Sequence, residues 1–525
     1  MKAQRIKNKL ILSLFILNAL CFEVIGKNID FIQTGDYSYL FTPQNLGTST
    51  PQVTDMIRYG NIPVNKYHGL LDFGVALDGY KDRNFDIPIS LKYISSGFMP
   101  SKRPSVVGYN WVLNSGGMIT RTLNGSPDDT KGRYRDKENR DYLLDGILVA
   151  IRDGRYKNYT DENLMSFNVE FNGKGKGTPY EGKDFKYELE PDIFTFTFGH
   201  YYGRFIIGKN GVPVLLEENG CKVDINGMAI QSYSTTEAPI SSVITITTPD
   251  GYIYTFGGTN NYLEYFIPNN PAKCKIMPRY ITSWFLKSIK APNQRTVNFS
   301  YHSKTQLNKY RYIAFAKSST YSHYENIATV DQDKQNIEIK DKIYTPILDS
   351  ISVNNVSIRF NYDENLASLY SGESDDKSVQ LKKISYYVNN AFLKEVAFTY
   401  ENKDQYFFLK SILQKGLKHE FKYNLSKTLP DPMTISLDHW GFWSGGYETN
   451  ISNLEDYCLD MQNKRAVNPE VCDVGLLNEV IYPTGGVTKI TYEHNRYDTY
   501  FDTSTSYLGF IPRKKTKIEI GRAHV

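Results

Sequence analysis

The sequence predicts an all-β protein of successive antiparallel hairpins forming an extended curved sheet or partial β-shell, with long loops. Three observations predict it. Aromatic residues make up 14% of the 525 residues, led by 41 Tyr and 28 Phe, side chains that suit a pleated, half-buried surface. The 38 Gly and 22 Pro are scattered rather than clustered and supply the turns that short strands need. A Leu-x-x-Ile … Phe-x-Tyr pattern recurs in the second half, with turn residues between its two parts.

From the start of the chain, residues 1–26 read as a secretory signal. A basic stretch (Lys2, Arg5, Lys7, Lys9) precedes an apolar run from Leu10 to Phe22, and Gly26 offers a small residue for cleavage before Lys27. The run is shorter than the roughly 20 apolar residues of a spanning helix, so no membrane span is expected after cleavage. Lipidation at Cys21 is the rival reading, but Leu20 is not the small residue expected before a lipidated Cys. The protein is therefore expected at the cell surface, outside the cell or in a periplasm. Most of the formal charge of +4 belongs to this segment, and the rest carries no basic face of the kind nucleic acid requires.

Residues 27–60 read as an irregular leader and 61–258 as an N-terminal β section. Phe85 to Tyr93 alternates apolar and polar residues like a strand with one wet face, and Pro88 places it at an edge or a bulge. Val106 to Leu113 and Gly116 to Arg121 read as two strands joined by a Gly-Gly turn. Residues 126–190 read as long loops with a few strands. Phe194 to Phe196, Gly203 to Gly208 and Ile244 to Phe256 restore strand character, the last with a hairpin turn at Pro249-Asp250-Gly251.

Residues 259–492 carry the repeat. Its copies run from Leu286 to Tyr301, Leu348 to Tyr362, Leu381 to Tyr400, Leu409 to Tyr423 and Leu477 to Tyr492. Each reads as a β-hairpin, and the Phe and Tyr of the closing strand, two apart, fall on one face. One hairpin cannot bury that face alone, so the units are expected to stack into a wall. Residues 303–345 and 426–475 interrupt the pattern and read as polar insertions or loops. Residues 493–525 read as a strand cut short, with Glu519 to Val525 resembling translated sequencing-adapter DNA; a stop codon directly after Val525 in the chromosome would refute that reading.

After export, Cys221, Cys274, Cys458 and Cys472 remain. Cys458 and Cys472 are the best candidates for a disulfide, with buried free thiols as the alternative for all four. No pair has CxxC spacing, and no metal or cofactor site is expected. His419-Glu420 lacks the second His of a metalloprotease motif, and Ser444 lacks the Gly that leads a nucleophile elbow. Gly173 to Gly177 has the wrong spacing for a phosphate loop. Asp128-Asp129, Asp331, Asp333 and Glu373 to Asp376 offer hard oxygen ligands without EF-hand grammar, so solvated loops are the better account. Asp438, His439, Trp440, Phe442 and Trp443 form the most distinctive cluster, readable as an aromatic docking patch, an imidazole oriented by a carboxylate, or a packed corner. No catalytic residue is assigned.

Several of these stretches together resemble the Rhs/YD-repeat proteins, particularly the N-terminal portions of large secreted members from Bacteroidetes-type bacteria. The stretches are Asn61 to Gly69, Leu91 to Gly97 with Val107 to Arg121, Thr248 to Gly258, Asp438 to Gly441 and Tyr482 to Tyr492. The resemblance covers residues 61–492. It implies a hollow β-shell that encloses a C-terminal payload, often a toxin, with the remaining repeats and that payload as partners within one long protein.

The functional expectation is a non-enzymatic exported scaffold. The alternative is a surface module that binds glycans or protein through exposed aromatics, and a glycoside hydrolase comes third because it needs two carboxylates across a cleft. Ring direction separates the first two: rings buried between hairpins favour a shell, and a row exposed on one face favours a glycan platform.

Overall fold

The computed structural model describes residues 70–131, 191–208, 210–234, 236–268, 278–322, 327–373, 376–438, 440–445 and 467–493, with shorter pieces at 64–65, 133–135, 141–154, 185–187, 496–502, 513–519 and 523–524. The signal segment 1–26 and the leader 27–60 lie outside the described residues.

Alternation in the front section produces a small sheet. After a minimal pair, β1 (Val64–Asn65) with β2 (Leu70–Leu71), strands β3 (Phe73–Lys81), β4 (Asp86–Tyr93) and β5 (Trp111–Ser115) form an antiparallel three-stranded sheet with β4 in the middle. Pairing passes from Leu77↔Ile89 to Tyr80↔Ile87, so Asp78 and Gly79 oppose Pro88 alone. Pro88 thus sits at a bulge, where its missing N–H costs no ladder bond.

The expected Gly-Gly hairpin between Val112 and Ile119 does not form. Strand β6 (Gly117–Thr122) leaves the front sheet and pairs instead with β10 (Ile193–Phe198) and β17 (Tyr280–Lys290). Only Gly116, at φ +114°, separates β5 from β6, and it turns the chain from one sheet into the other. A glycine pair signals backbone freedom without telling a reversal from a change of sheet.

Residues 126–190, expected as long loops with a few strands, hold short strands and a helix among the described residues. Short strands β7 (Arg133–Arg135), β8 (Asp141–Asp145) and β9 (Phe185–Tyr187) make a small sheet, and a six-residue helix, α1 (Ile147–Arg152), is buried along Ile147 to Ala150. Its apolar run was legible, but a single turn and a half leaves no helical period to read.

The main sheet starts with the hairpin of β10 and β11 (Tyr201–Ile207) and continues through β12 (Pro213–Leu215), β13 (Lys222–Asp224), β14 (Ser242–Thr247) and β15 (Ile253–Gly258). The Pro249-Asp250-Gly251 turn joins β14 to β15 as expected, closed by Gly251 N–H donating to Thr248 O. Strand β16 (Leu263–Ile267) follows, then β17, β18 (Thr296–Ser322), β19 (Ile327–Val353) and β20 (Val356–Asp363). The ladder proceeds through β21 (Gln380–Val388), β22 (Ala391–Lys403), β23 (Tyr406–Gln414), β24 (Leu417–Tyr423), β25 (Leu477–Ile481) and β26 (Val487–Lys489). The sheet closes on itself at β16, which pairs with β17 along one edge and β19 along the other while β17, β18 and β19 pair in sequence. Beyond it, β27 (Thr491–Tyr492) pairs with β30 (Ala523–His524), and β28 (Arg496–Asp502) with β29 (Arg513–Glu519).

Each repeat copy is a hairpin, and their turns use Asn354, Asn389-Asn390 and Lys415-Gly416 at positive φ. Residues 303–345, expected as a polar insertion or loop, extend the β18–β19 hairpin. Those strands pair from Val297↔Val353 to Ser322↔Ile327, and from Asn308↔Asp341 outward neither has another strand partner among the described residues. That is a ribbon about 50 Å long at about 3.4 Å per residue. Its sequence carries no strict apolar alternation from which a strand could be read.

Residues from Leu71 to Ile490 contribute to one apolar core, which joins the front sheet to the main one.

Candidate functional site

The repeat hairpins carry their most specific geometry where one unit meets the next. Residues three apart in an ordinary strand point to opposite faces, yet Leu and Ile (Val in the last copy) are buried together in all five copies. A bulge reconciles the two. Tyr362 pairs with Leu381 and Asn361 with Lys383, so Lys382 has no opposite residue. The same shift leaves Asp349, Lys410 and Asn478 extra after Leu348, Leu409 and Leu477, and Lys287 extra after Leu286. The first x of Leu-x-x-Ile is therefore the bulged residue.

The closing tyrosine of the same unit secures that bulge. The hydroxyls of Tyr362, Tyr400, Tyr423 and Tyr492 donate to the carbonyls of Leu348, Leu381, Leu409 and Leu477 at 2.7, 2.6, 2.6 and 2.7 Å. Burial holds all four phenols protonated far above their usual range. Tyr301 departs from the pattern and packs edge-on against Tyr262 and Phe285 at 5.5 and 5.6 Å.

The front section covers the buried face of these hairpins. Leu381 N–H donates to Val106 O (2.7 Å), Tyr109 N–H to Phe407 O (2.9 Å) and Leu477 N–H to the Tyr93 hydroxyl (2.9 Å). Trp111 Nε1–H donates to the Tyr423 hydroxyl (2.8 Å), and the Tyr406 hydroxyl donates to Pro100 O (2.8 Å). Backbones meet so closely that a Cβ on Gly108, already at φ +105°, would lie 2.8 Å from Leu409 N. Rings fill the remaining space, with Trp111 and Phe421 at 4.9 Å and Phe98 and Tyr406 at 5.0 Å.

At the far end of the contact, fully buried Asp78 projects from the β3 bulge between repeat cations. It receives Lys394 Nζ, Lys415 Nζ (3.2 Å) and Gln414 Nε2 (2.9 Å), while its carbonyl accepts the Tyr386 hydroxyl at 2.5 Å. Burial pulls the Lys394 ammonium below its ordinary value against the pull of Asp78.

The aromatic cluster named from sequence is tied to the backbone where it is described, with Phe442 and Trp443 half-buried. Asp438 is buried and its Oδ1 accepts the N–H groups of Trp440 (2.8 Å) and Phe442 (2.9 Å). Trp443 N–H donates to Phe98 O at 3.0 Å, and the Phe442 ring lies over Gly97. Trp440 is 66% exposed, whereas His439 lies outside the described residues. Exposed rings elsewhere, Tyr202 and Phe392, sit on separate strands, so the described rings form no exposed row. Cys472 is a free thiol whose Sγ–H donates to Pro469 O at 3.2 Å, so the expected bridge is not made there; Cys458, like Cys274, lies outside the described residues. Cys221 is a buried free thiol.

Carboxylates that could have held calcium are engaged elsewhere. Glu373 pairs with Lys309 (3.0 Å) and Lys340 (2.6 Å), and Asp376 pairs with Arg103 (2.6 Å). Asp128 and Asp129 face Arg121, and no metal-binding group of three occurs among the described residues. The side chains of Asp331 and Asp333 and the whole of residues 374–375 lie outside the description. His419 is a strand residue beside Tyr482, and its burial lowers the imidazole's proton affinity. Ser444 is buried, with an unbonded Oγ and no histidine bonded to it.

One polar group escaped sequence reading. His302 Nδ1 lies 2.6 Å from Asp349 Oδ1 and its Nε2 lies 3.1 Å from Glu364 Oε1, while Lys304 Nζ sits 2.8 Å from the other Glu364 oxygen. The Nε2 contact has ion-pair distance without hydrogen-bond alignment. Asp349 is the bulged residue of its repeat, which turns its carboxylate toward the imidazole. Lys304 is ion-paired, and among the described residues no Ser or Cys is bonded to His302.

No family model matches the chain, and no curated protein does. Three solved structures are similar at low level. The crystal structure of TcdB2-TccC3 is similar over 69% of this chain and 17% of its own, at 10% identity and a TM-score of 0.31. The Tc holotoxin pore of Photorhabdus luminescens is similar over 68% and 16%, at 11% identity and a TM-score of 0.30. The N-terminal domain of effector protein SpvB from Salmonella typhimurium strain LT2 is similar over 63% and 94%, at 10% identity and a TM-score of 0.26. This chain thus spans about a sixth of the first two and most of the third.

Proposed function

We propose that this chain is a non-enzymatic exported scaffold, the front part of an Rhs/YD-repeat β-shell that encloses or presents a C-terminal payload. The observation that carries this reading is the inward direction of the repeat side chains. Leu, Ile, Phe and Tyr of successive hairpins are turned into one core, and the front sheet meets them with hydrogen bonds to the Tyr423 hydroxyl and the Leu477 backbone. Such a wall works by shape. It excludes water and proteases from what lies behind it, and its polar groups are engaged in holding hairpins together.

The test is protease protection of the secreted product of the full-length gene. The scaffold reading expects any region encoded after residue 518 to resist digestion in the intact protein and to be lost when Trp111→Ala loosens the front sheet. Equal digestion of that region in both proteins, or a reading frame that ends directly after residue 525, overturns it. Binding to a glycan array that disappears in Trp440→Ala would favour the surface-module reading instead.

A further inference from the structure

Strand β6 carries a cation into a buried nest of carboxyls. Arg121 Nη2 lies 2.9 Å from Asp129 Oδ1 and Arg121 Nε lies 3.5 Å from Asp192 Oδ2, with all three side chains fully buried. Asp128 is equally buried and is tied reciprocally to Asp192. Asp128 N–H donates to Asp192 Oδ2 at 3.0 Å, and Asp192 N–H donates to Asp128 Oδ2 at 3.1 Å. Phe194 and Trp284 cover the guanidinium at 5.1 and 4.9 Å.

Charge does not balance in this nest. Arg152 on α1 attracts Asp129 and Arg279 beside β17 attracts Glu237 and then Asp129, but within the nest the single Arg121 guanidinium serves Asp129 first and must be shared with Asp192 and Asp128. Tyr280 faces Arg121 and Asp192 from β17, and Asp145, just before α1, adds another buried carboxyl. Asp128 Oδ1 and Asp129 Oδ2 are buried without hydrogen-bond partners. An ionised carboxylate oxygen in that state is costly, and a protonated one costs much less.

The residues around the nest are structural ties. Leu148 N–H at the start of α1 donates to Asp128 O (3.0 Å), and Gly146 N–H donates to Thr130 O (3.1 Å). Gln231 N–H donates to Asp129 O (2.7 Å), and Asn124 N–H donates to Asp192 Oδ1 (2.9 Å). Residues 124–131 thus link helix α1, the loop at Gln231 and the start of β10 to strand β6.

We propose that Asp128 keeps a proton on its free oxygen at neutral pH, and that the nest is a pH-responsive clasp, tightest in mildly acidic surroundings, that holds residues 124–131 and α1 against β6 and β10. Burial, followed by the neighbouring carboxylate, pushes Asp128 up to about 8, and burial pushes Asp192 up to about 6. Both carboxyls bind protons more tightly in the folded protein than unfolded. Stability therefore falls as pH rises from about 4 through about 8 and returns on acidification.

The test compares apparent Tm of the full chain and its Asp128→Asn variant between pH 5.5 and pH 8.5. Asn keeps an acceptor for Asp192 N–H and carries no charge. The expected result is a stability difference, variant minus parent, that is about 2–4 °C larger at pH 8.5 than at pH 5.5. A difference that is equal or smaller at pH 8.5 overturns the proposal. If Asp128→Asn does not fold, hydrogen exchange on the parent decides, after correction for intrinsic rates. Greater protection of residues 124–131 and 146–152 at pH 5.5 than at pH 8.5 supports the clasp, and equal or reversed protection refutes it.

Discussion

Trp111 in the front sheet donates its indole N–H to the Tyr423 hydroxyl, which itself donates to the carbonyl of Leu409 in the same repeat unit. A two-bond relay therefore runs from the front section into a bulge of the repeat ladder. Trp111→Phe keeps much of the ring packing, removes the donor and is expected to cost about 1–3 kcal/mol. Denaturant unfolding measures it as a lower midpoint with an unchanged slope. A midpoint unchanged from the parent would mean that the relay carries no stability.

Replacing a closing tyrosine by phenylalanine isolates the hydroxyl. Tyr362→Phe should cost about 1 kcal/mol, because it leaves a leucine carbonyl without its partner, and Tyr423→Phe should cost more, because it also removes the acceptor of the Trp111 indole N–H. The pair should be additive, since each bond lies inside its own unit. Tyr301→Phe is the control, and its loss should be smaller because Tyr301 makes ring contacts in place of this bond.

Asp78 joins the front sheet to two repeat lysines, so Asp78→Ala should destabilise by about 3 kcal/mol, through the cation left behind at Lys394. Lys415→Ala should cost under about 1 kcal/mol, since that side chain is nearly half exposed. Thermal unfolding of both variants checks the order, and a larger loss for Lys415→Ala contradicts it.

High pH should unfold the protein through its phenols. Burial, aided by Asp82, pushes Tyr80 up to about 12, and burial pushes Tyr265 to about 12 as well. Their protons are held more tightly folded than unfolded, so stability is lost as pH rises from about 10 through about 12. Absorbance at 295 nm should lag the ordinary phenol curve and then rise together with the loss of near-ultraviolet circular dichroism.

The long ribbon makes the opposite kind of prediction. Replacing residues 312–337 by Asn-Gly, between the paired Arg311 and Glu338, should leave apparent Tm within about 2 °C of the parent, because among the described residues their strands pair with no third strand there. A collapse in expression or Tm would show that the ribbon is held by another part of the protein.

Much of this architecture was legible and some of it was only half read. The five hairpins, their turns and the shared face of Phe and Tyr follow from period-two alternation and turn chemistry. The Leu-x-x-Ile spacing was visible too, but its meaning was missed: two buried residues three apart on a strand imply an extra residue between them. Gly116 was misread, and the strand form of residues 303–345 was not foreseen, because backbone freedom and polarity do not name a partner strand. His302, Asp349 and Glu364, like Arg121 and Asp192, come together only through sheet pairing between distant segments, which one sequence does not encode locally. Asp438 was legible as important, yet its buried role in capping the N–H groups of Trp440 and Phe442 was not.

In four repeats the tyrosine and the carbonyl that receives its proton belong to one unit, while the bulge faces the unit before. Each unit therefore carries its own fastening and asks of its predecessor only a strand edge. Gene duplication or deletion of a whole unit leaves every other fastening intact, so an array of this kind can change length in evolution without redesign of the parts that remain.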